Sequence, residues 1–212
     1  MGDDMEKKYI SLTFDDGPTI GITDQVLDIL ESEQISASFF VIGQQITPET
    51  EYLVKRAHDM GCSIENHSWK HLYMTKLSEQ EILEEIKSTT DKIIETVGEK
   101  PMFFRPPYID YDQKMYNLID LAFICGHGCN DWDMEVDAQT RIDMVLGEAA
   151  PGNIILVHDM ADNIPTIEAI KVIIPTLKAQ GYEFVNIREL FDSYGVKPER
   201  NRLYDGAMES RD

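Results

Sequence analysis

Residues 9–33 read YISLTFDDGPTIGITDQVLDILESE. The first part, Tyr9–Phe14, is typical of a β-strand. The last part, Thr23–Glu33, predicts an amphipathic helix, because its apolar residues Val26, Leu27 and Leu30 fall on one face. Between the two lies the acidic segment Asp15-Asp16-Gly17-Pro18. The stretch therefore predicts a strand, a turn and a helix in direct succession.

The same unit recurs to the end of the chain. Six further strands are predicted at Ser38–Ile42, Cys62–Glu65, Met102–Phe104, Leu121–Cys125, Asn153–Val157 and Glu183–Asn186. Six further helices are predicted: one with Thr47 as N-cap and Pro48 in its first turn, one opened by the capping box Ser78–Glu81, then Gln113–Ile119, Ala138–Gly147, Pro165–Gln180 and Ile187–Tyr194. About seven strands that alternate with helices require a parallel sheet. This pattern fits an open doubly wound sheet and a closed barrel equally well.

Composition and charge exclude several classes of protein. The chain has 212 residues, 42% of them apolar, and shows no low-complexity tract, so we predict one globular domain. Its net charge of −20 disfavours binding to nucleic acid or to anionic lipid. No apolar run approaches the roughly 20 residues that a membrane span needs. The N-terminus lacks the basic and apolar regions of a signal peptide.

Three cysteines in a chain of this length do not predict a disulfide framework. Cys125 and Cys129 could form a metal or redox pair, but the surrounding residues favour a strand that leaves the core.

Acidic and imidazole side chains follow two of the predicted strands. Asp15 and Asp16 follow the first strand, where the alternative is an ordinary turn. His67 and His71 follow the third strand, and we expect them on one face of a helical turn. Loops at the carboxyl ends of parallel strands meet at one edge of the sheet. Two nitrogens and one oxygen there suit a divalent zinc or cobalt ion with positions left open for water.

Three more strand ends carry chemistry-bearing residues. Arg105-Pro106-Pro107-Tyr108 follows the fourth strand, and its two prolines hold the next N–H, on Tyr108, rigidly. Asn130-Asp131-Trp132 follows the fifth strand. His158 ends the apolar run of the sixth strand, at the edge where sites form.

Five motifs in this order resemble those of the polysaccharide deacetylase family, also called the NodB homology domain or carbohydrate esterase family four. They are TFDDGP, NHSWKH, FFRPPY, NDW and ILVHD, and the resemblance runs from Tyr9 to Tyr194. It implies a distorted (β/α) barrel with about seven parallel strands that removes acetyl groups with one divalent metal ion, zinc or cobalt. Its implied boundaries are an N-terminal extension (1–8), the deacetylase domain (9–195) and a C-terminal tail (196–212).

The resemblance also implies a role for each matched residue. Asp15 would be the general base, held by Arg105, and His158 the general acid, tuned by Asp131. The remaining implied roles are metal ligation by Asp16, His67 and His71, oxyanion stabilisation by the Tyr108 N–H, and an acetyl-methyl pocket formed by Trp132 and Leu156.

The implied substrate is an acetylated polysaccharide or oligosaccharide. The NDW motif and the run IIPTLKAQGYEFVNIRELFDSYGV are similar to bacterial acetylxylan esterases, which predicts removal of O-acetyl groups from xylan. The alternatives are an N-deacetylase of N-acetylglucosamine polymers (peptidoglycan or chitin) and a non-catalytic carbohydrate-binding relative. The chain departs from the RPPYG pattern of many members in having Ile109 after Tyr108. The resemblance further implies a secreted or cell-surface protein.

Overall fold

The computed structural model describes residues 7–211, in which helices and strands alternate. The helices are α1 (Thr23–Glu33), α2 (Glu51–Asp59), α3 (Glu79–Val97), α4 (Gln113–Leu118), α5 (Ala138–Glu148), α6 (Ile164–Ala179) and α7 (Ile187–Ser193). The strands are β1 (Lys8–Asp15), β2 (Ser38–Val41), β3 (Ser63–Asn66), β4 (Phe103–Phe104), β5 (Ala122–Ile124), β6 (His127–Gly128), β7 (Ile154–His158), β8 (Tyr182–Phe184), β9 (Leu203–Gly206) and β10 (Glu209–Arg211). All seven predicted strands and all seven predicted helices are present.

The helix boundaries follow the predicted signals, with one exception. The capping box of α3 is formed, with Ser78 accepting from the Glu81 N–H. Helix α2 begins at Glu51 rather than near Pro48. The Thr50 hydroxyl donates to the Gln45 carbonyl and accepts from the Thr47 N–H, which closes a separate turn before the helix. The predicted N-cap at Thr47 is therefore wrong by about one helical turn.

Strand β1 lies at the centre of a curled, mostly parallel sheet. Its residues 13–15 pair with β2, residues 11–15 pair with β7, and residues 8–10 pair with β8. The sheet order is β10-β9-β5-β4-β3-β2-β1-β7-β6, and every pairing along it is parallel except that of β9 with β10. This confirms the single α/β domain with a distorted, barrel-like sheet.

A C-terminal hairpin of β9 and β10 brings the two arms of the curled sheet together. Strand β9 pairs with β5, and its last residue, Gly206, bridges to Asn153 just before β7. A Cβ at Gly206 would lie 2.7 Å from the Gly152 carbonyl oxygen, so only glycine fits this close approach. The sequence did not predict strands in 196–212. Residues 1–6 of the predicted N-terminal extension, and residue 212, lie outside the described residues.

Alternation along β1 separates the hydrophobic core from the site. Ile10, Leu12 and Phe14 pack into the main core cluster with residues of α1 and α6, and all three are fully buried. Ser11, Thr13 and Asp15 therefore point to the inside of the curl, because side chains along a strand alternate between its faces. None of the helices in residues 7–211 has the length and apolar character needed to cross a membrane.

Candidate active site

A cavity of about 680 Å³ opens at the carboxyl ends of the strands. Asp15 ends β1 and His158 ends β7, and the two residues are partners in the register of these strands. Nine of the ten residues selected from the sequence line this cavity, and the tenth, Arg105, lies beneath it against Asp15. The nine are Asp15, Asp16, His67, His71, Tyr108, Asp131, Trp132, Leu156 and His158. We call this space the active-site cavity.

Asp16, His67 and His71 form a set of donor atoms suited to a metal ion. The Oδ1 atom of Asp16 lies 3.3 Å from His67 Nε2 and 3.2 Å from His71 Nε2. The three donor atoms lie within 4.8 Å of one another, and this is the one such group found among residues 7–211. Asp16 Oδ1 is buried and has no hydrogen-bond partner in the described part of the chain. Two imidazole nitrogens and a carboxylate oxygen with an unsatisfied lone pair fit a divalent ion such as zinc.

The loop after β3 holds the two imidazoles in place. His67 Nδ1 donates to the Arg105 carbonyl oxygen (2.7 Å), which turns Nε2 toward Asp16. The His71 N–H donates to Ser68 Oγ. Ser68 and His71 have φ of 66° and 57°, and the segment is not helical. The predicted helical turn is therefore wrong, because left-handed residues at these positions interrupt a right-handed turn.

The charges of Asp16, His67 and His71 shift one another's pKa values. Burial would raise the pKa of Asp16, but the contact with His67 and the charges of His158 and His71 hold it at about 2. Burial would lower the pKa of His67, but the carboxylates of Asp15 and Asp16 raise it. Burial and the neighbouring His67 lower the pKa of His71. The site thus holds an ionised carboxylate and, on His71, a nitrogen lone pair available near neutral pH.

Asp15 is fixed from below by an arginine. Arg105 Nη1 donates to Asp15 Oδ1 at 2.5 Å, and both side chains are buried. The guanidinium also lies 4.1 Å from the centre of the Phe40 ring, in a cation–π contact. Asp15 Oδ2 lies 3.7 Å from His67 Nε2. One oxygen of this carboxylate is therefore held by Arg105, while the other lies beside the donor set.

His158 faces the same cavity and is paired with Asp131. Its Nδ1 lies 2.8 Å from Asp131 Oδ1, and its backbone N–H donates to Oδ2 at 2.7 Å. Burial would lower the pKa of His158, but the hydrogen bond and the charge of Asp131, with Asp15 and Asp16, raise it to about 9. The imidazole is therefore protonated at neutral pH and can donate a proton.

Three buried residues that the sequence analysis missed hold Asp131 in position beside His158. Thr166 Oγ1 (2.9 Å) and Asn163 Nδ2 (3.3 Å) both donate to Asp131 Oδ2. Arg141, which is fully buried, donates through Nη1 to Asn163 Oδ1 (2.5 Å) and to Thr166 Oγ1 (2.8 Å). One signal was available for Arg141, since it lies on the apolar face of α5 one helical turn before Val145. Asn163 and Thr166 had none.

The segment after β4 is strained where it borders the cavity. Tyr108 and Ile109 have φ of 60° and 51°. A left-handed backbone costs a residue with a side chain roughly 1–2 kcal/mol, which explains why glycine suits the position that Ile109 occupies. The Tyr108 N–H has no acceptor among residues 7–211. Its ring stacks on that of Tyr73, with ring centroids 4.1 Å apart.

The cysteines take no part in the donor set. Cys62, Cys125 and Cys129 are free and buried. Burial raises the pKa of their thiols, to about 11 for Cys62 and Cys125 and about 12 for Cys129. Within the described residues, the structure groups none of them into a candidate metal site.

Comparisons with known proteins agree with the motifs. A family model described as polysaccharide deacetylase matches residues 2–122. The chain is 45% identical over 192 residues to a bifunctional xylanase/deacetylase of Pseudobutyrivibrio xylanivorans, which covers 91% of this chain and 32% of that protein. It is 36% identical over 205 residues to the peptidoglycan-N-acetylglucosamine deacetylase PgdA of Listeria monocytogenes, covering 96% of this chain and 42% of that protein.

A solved structure of a related protein has the same fold as this chain. It is a family 4 acetyl xylan esterase from Clostridium thermocellum in complex with a cobalt ion, which superposes with a TM-score of 0.92 at 38% identity. The match covers 95% of this chain and all of that one. The two relatives matched by sequence are longer proteins, of which this chain spans about a third and about two fifths.

Proposed function

The chain belongs to the polysaccharide deacetylase family, and on that premise we propose that it removes O-acetyl groups from acetylated xylan with the help of one divalent cation. One observation carries the proposal. A donor set for a cation, a buried carboxylate and a protonated imidazole lie together in a single cavity at the strand ends. Hydrolysis of an acetyl ester needs a Lewis acid or oxyanion donor, a base and an acid, and each has a candidate here.

Asp16, His67 and His71 are the residues that would hold the cation. The unsatisfied Asp16 Oδ1 and the two Nε2 atoms provide a carboxylate oxygen and two imidazole nitrogens, the ligand types that zinc and cobalt accept. A cation bound there supplies Lewis acidity toward an acetyl carbonyl and toward water.

Asp15 is the proposed base. Arg105 holds Asp15 Oδ1, so that Oδ2 is directed toward the donor set, where it can accept a proton from water. The water oxygen then attacks the acetyl carbon, and negative charge develops on the carbonyl oxygen. No described residue accepts a hydrogen bond from the Tyr108 N–H, so this group is available to donate to that oxygen.

His158 is the proposed acid. Because its Nδ1 is bound to Asp131, its Nε2–H is the group left to protonate the departing sugar oxygen. That proton transfer releases the sugar hydroxyl as the bond to the acetyl carbon breaks. Trp132 and Leu156 line the same cavity and are proposed to contact the acetyl methyl group.

The choice of xylan rests on likeness to a xylanase/deacetylase and to an acetyl xylan esterase. The second candidate substrate is an N-acetylglucosamine polymer, which the likeness to a peptidoglycan deacetylase favours. The proposed acid and base would serve an amide as well as an ester. The difference between the two substrates must therefore arise at the rim, where Ile109 and Trp132 lie.

Acetate release tests the proposal directly. The zinc- or cobalt-loaded protein is incubated with acetylated xylan and, separately, with chitin oligosaccharides, with and without a chelator. We expect chelator-sensitive release from xylan. Release from chitin oligosaccharides alone would make the protein an N-deacetylase. No release from either substrate or from a small aryl acetate would favour the non-catalytic carbohydrate-binding alternative.

A further inference from the structure

Asp159 is a fully buried carboxylate that takes no part in the proposed chemistry. It follows His158 directly but does not line the active-site cavity. Burial raises the pKa of its carboxyl group to about 7, and the charges of Asp16 and Asp15 act in the same direction, against the hydrogen bond from Thr23. Burying such a group is costly unless the protein engages it. The contacts that Asp159 makes must therefore offset this cost.

The hydrogen bonds of Asp159 reach the segment that follows β1. Its backbone N–H donates to the Asp15 carbonyl (3.0 Å), and its Oδ2 accepts from the Thr23 hydroxyl (2.5 Å). The same hydroxyl accepts from the Thr19 N–H (2.8 Å). Thr23 is the first residue of α1 and is buried. Asp159 is thus joined to both ends of residues 15–19, directly at Asp15 and through Thr23 at Thr19.

The middle of this segment packs against the Asp159 side chain. A Cβ at Gly17 would collide with both carboxylate oxygens of Asp159, so space requires glycine at this position. The Gly17 carbonyl accepts from the Ile42 N–H (3.0 Å), which holds the segment on the side of β2. The carboxylate of Asp159 therefore lies where a side chain at residue 17 would otherwise be.

Asp16 has a strained backbone within this segment. Its φ is 74°, in the left-handed region that disfavours residues with a side chain. Such a conformation persists only where the surrounding structure holds it. The Oδ1 atom of the same residue lies within 3.3 Å of the Nε2 atoms of His67 and His71. The geometry of the donor set therefore depends on the contacts that fix residues 15–19.

We propose that Asp159 is a positioning residue, which acts through Thr23 and Gly17 to hold Asp16 in the conformation of the proposed cation site. This inference rests on the proposed function and deepens it, because it assigns the contacts that keep that site in shape. Asp159 supplies no donor atom to the group of candidate ligands found among residues 7–211. Its effect on the cation is therefore indirect and passes through the backbone of the segment.

Calorimetric titration with zinc tests this role without any substrate. Asp159→Ala removes the acceptor of the Thr23 hydroxyl and should lower zinc affinity about ten-fold. Asp159→Asn keeps an oxygen that can accept from this hydroxyl, so its affinity should stay within about three-fold of the wild-type value. Equal losses in both variants would show that the negative charge of Asp159, and not its hydrogen bond, supports the site. That result would overturn the proposal.

A second pair of variants tests the connection through Thr23. Thr23→Val removes the hydroxyl and should lower zinc affinity about five-fold, whereas Thr23→Ser keeps the hydroxyl and should restore the affinity. The losses in Asp159→Ala/Thr23→Val should not add, since both substitutions break the same connection. Thr96→Val is the matched control, because the buried Thr96 hydroxyl donates to the Lys92 carbonyl within α3. Additive losses, or equal losses in Thr23→Val and the control, would contradict the connection.

Hydrogen exchange distinguishes failure of this inference from failure of the proposed function. The backbone amides in residues 15–19 should exchange faster in Asp159→Ala and Thr23→Val than in the wild type or Thr96→Val. If the wild type binds no zinc and releases no acetate, the proposed function fails, but faster exchange would still confirm that Asp159 holds this segment. Unchanged exchange and zinc affinity, with only a lower Tm, would mean that Asp159 merely stabilises the fold, and would overturn the inference.

Discussion

The two halves of the active site satisfy their polar atoms in opposite ways. On one side, Asp16 Oδ1 is buried without a hydrogen bond among the described residues, although two imidazole nitrogens lie within 3.3 Å of it. On the other side, Asp131 uses both of its oxygens and accepts from His158, Thr166 and Asn163.

This difference agrees with the proposed division of the site into a cation-binding half and a proton-transfer half. A buried carboxylate oxygen without a partner is costly unless something from outside completes it. A carboxylate whose two oxygens both accept hydrogen bonds from the protein is held in place by them and acts on its imidazole partner. The hydrogen bonds accepted by the two carboxylates, Asp16 and Asp131, therefore distinguish the two halves of the site.

The largest effects are expected from two substitutions at adjacent residues, which test whether cation binding and proton transfer belong to different residues. Asp15→Asn and Asp16→Asn should each lower kcat for acetate release about 10³-fold, since one removes the proposed base and the other a proposed ligand. Calorimetric titration with zinc should tell them apart. Asp15→Asn should keep its zinc affinity within several-fold, whereas Asp16→Asn should lose about 100-fold. Near-normal turnover of Asp15→Asn would show that the base is assigned to the wrong residue.

A smaller effect is expected on the proton-transfer half. His158 must be protonated to act as an acid, so activity should fall as the pH rises through its pKa of about 9. Asp131→Asn removes the main partner that raises this pKa, and the alkaline limb of kcat/KM should move to lower pH. On acetylated xylotetraose, the loss at pH 8 should be about ten- to a hundred-fold.

The leaving group provides the control for Asp131→Asn. An aryl acetate releases a phenolate that needs little protonation, so its hydrolysis should be much less affected. Zinc affinity should stay unchanged. If the alkaline limb of kcat/KM does not move in Asp131→Asn, the group whose deprotonation causes that limb is not His158.

The smallest effect should come from Thr166→Val, which removes one donor to Asp131 and one acceptor of Arg141 while keeping the side-chain volume. We expect a two- to five-fold loss of kcat/KM. Thr176→Val on the same helix is the control, because the Thr176 hydroxyl donates only to the Val172 carbonyl. Equal losses in both variants would indicate a general effect on α6.

Much of the fold could be predicted because its signals are local. Hydrophobic periodicity and caps gave the seven helices and seven strands, and α1 was predicted with its observed ends, Thr23–Glu33. Strands β6, β9 and β10 were missed because none of them carries an apolar run such as the FF of β4 or the AFI of β5. Strands β6 and β9 are formed by pairing with β7 and β5, which are distant in the sequence. The bridge between Gly206 and Asn153 has no signal in either segment.

The members of the site were predicted, and so were two of its contacts, that of Arg105 with Asp15 and that of Asp131 with His158. All ten selected residues meet at or beneath one cavity, while their individual roles stay predictions. The expected helical turn at His67 and His71 was wrong, since spacing alone does not reveal left-handed backbone at Ser68. Arg141 was missed because an arginine on a helix is usually a solvated residue.

The sequence alone determined the strand–helix alternation, the single domain and which strand ends carry reactive side chains. These properties depend on neighbours along the chain, so the pattern of side chains is sufficient to specify them. The tertiary structure was needed to show that Arg141 supports Asp131 through Asn163 and Thr166, and that Gly206 bridges to Asn153. Such contacts depend on strand register and on the curl of the sheet, which arise from packing over the whole chain and leave no local pattern.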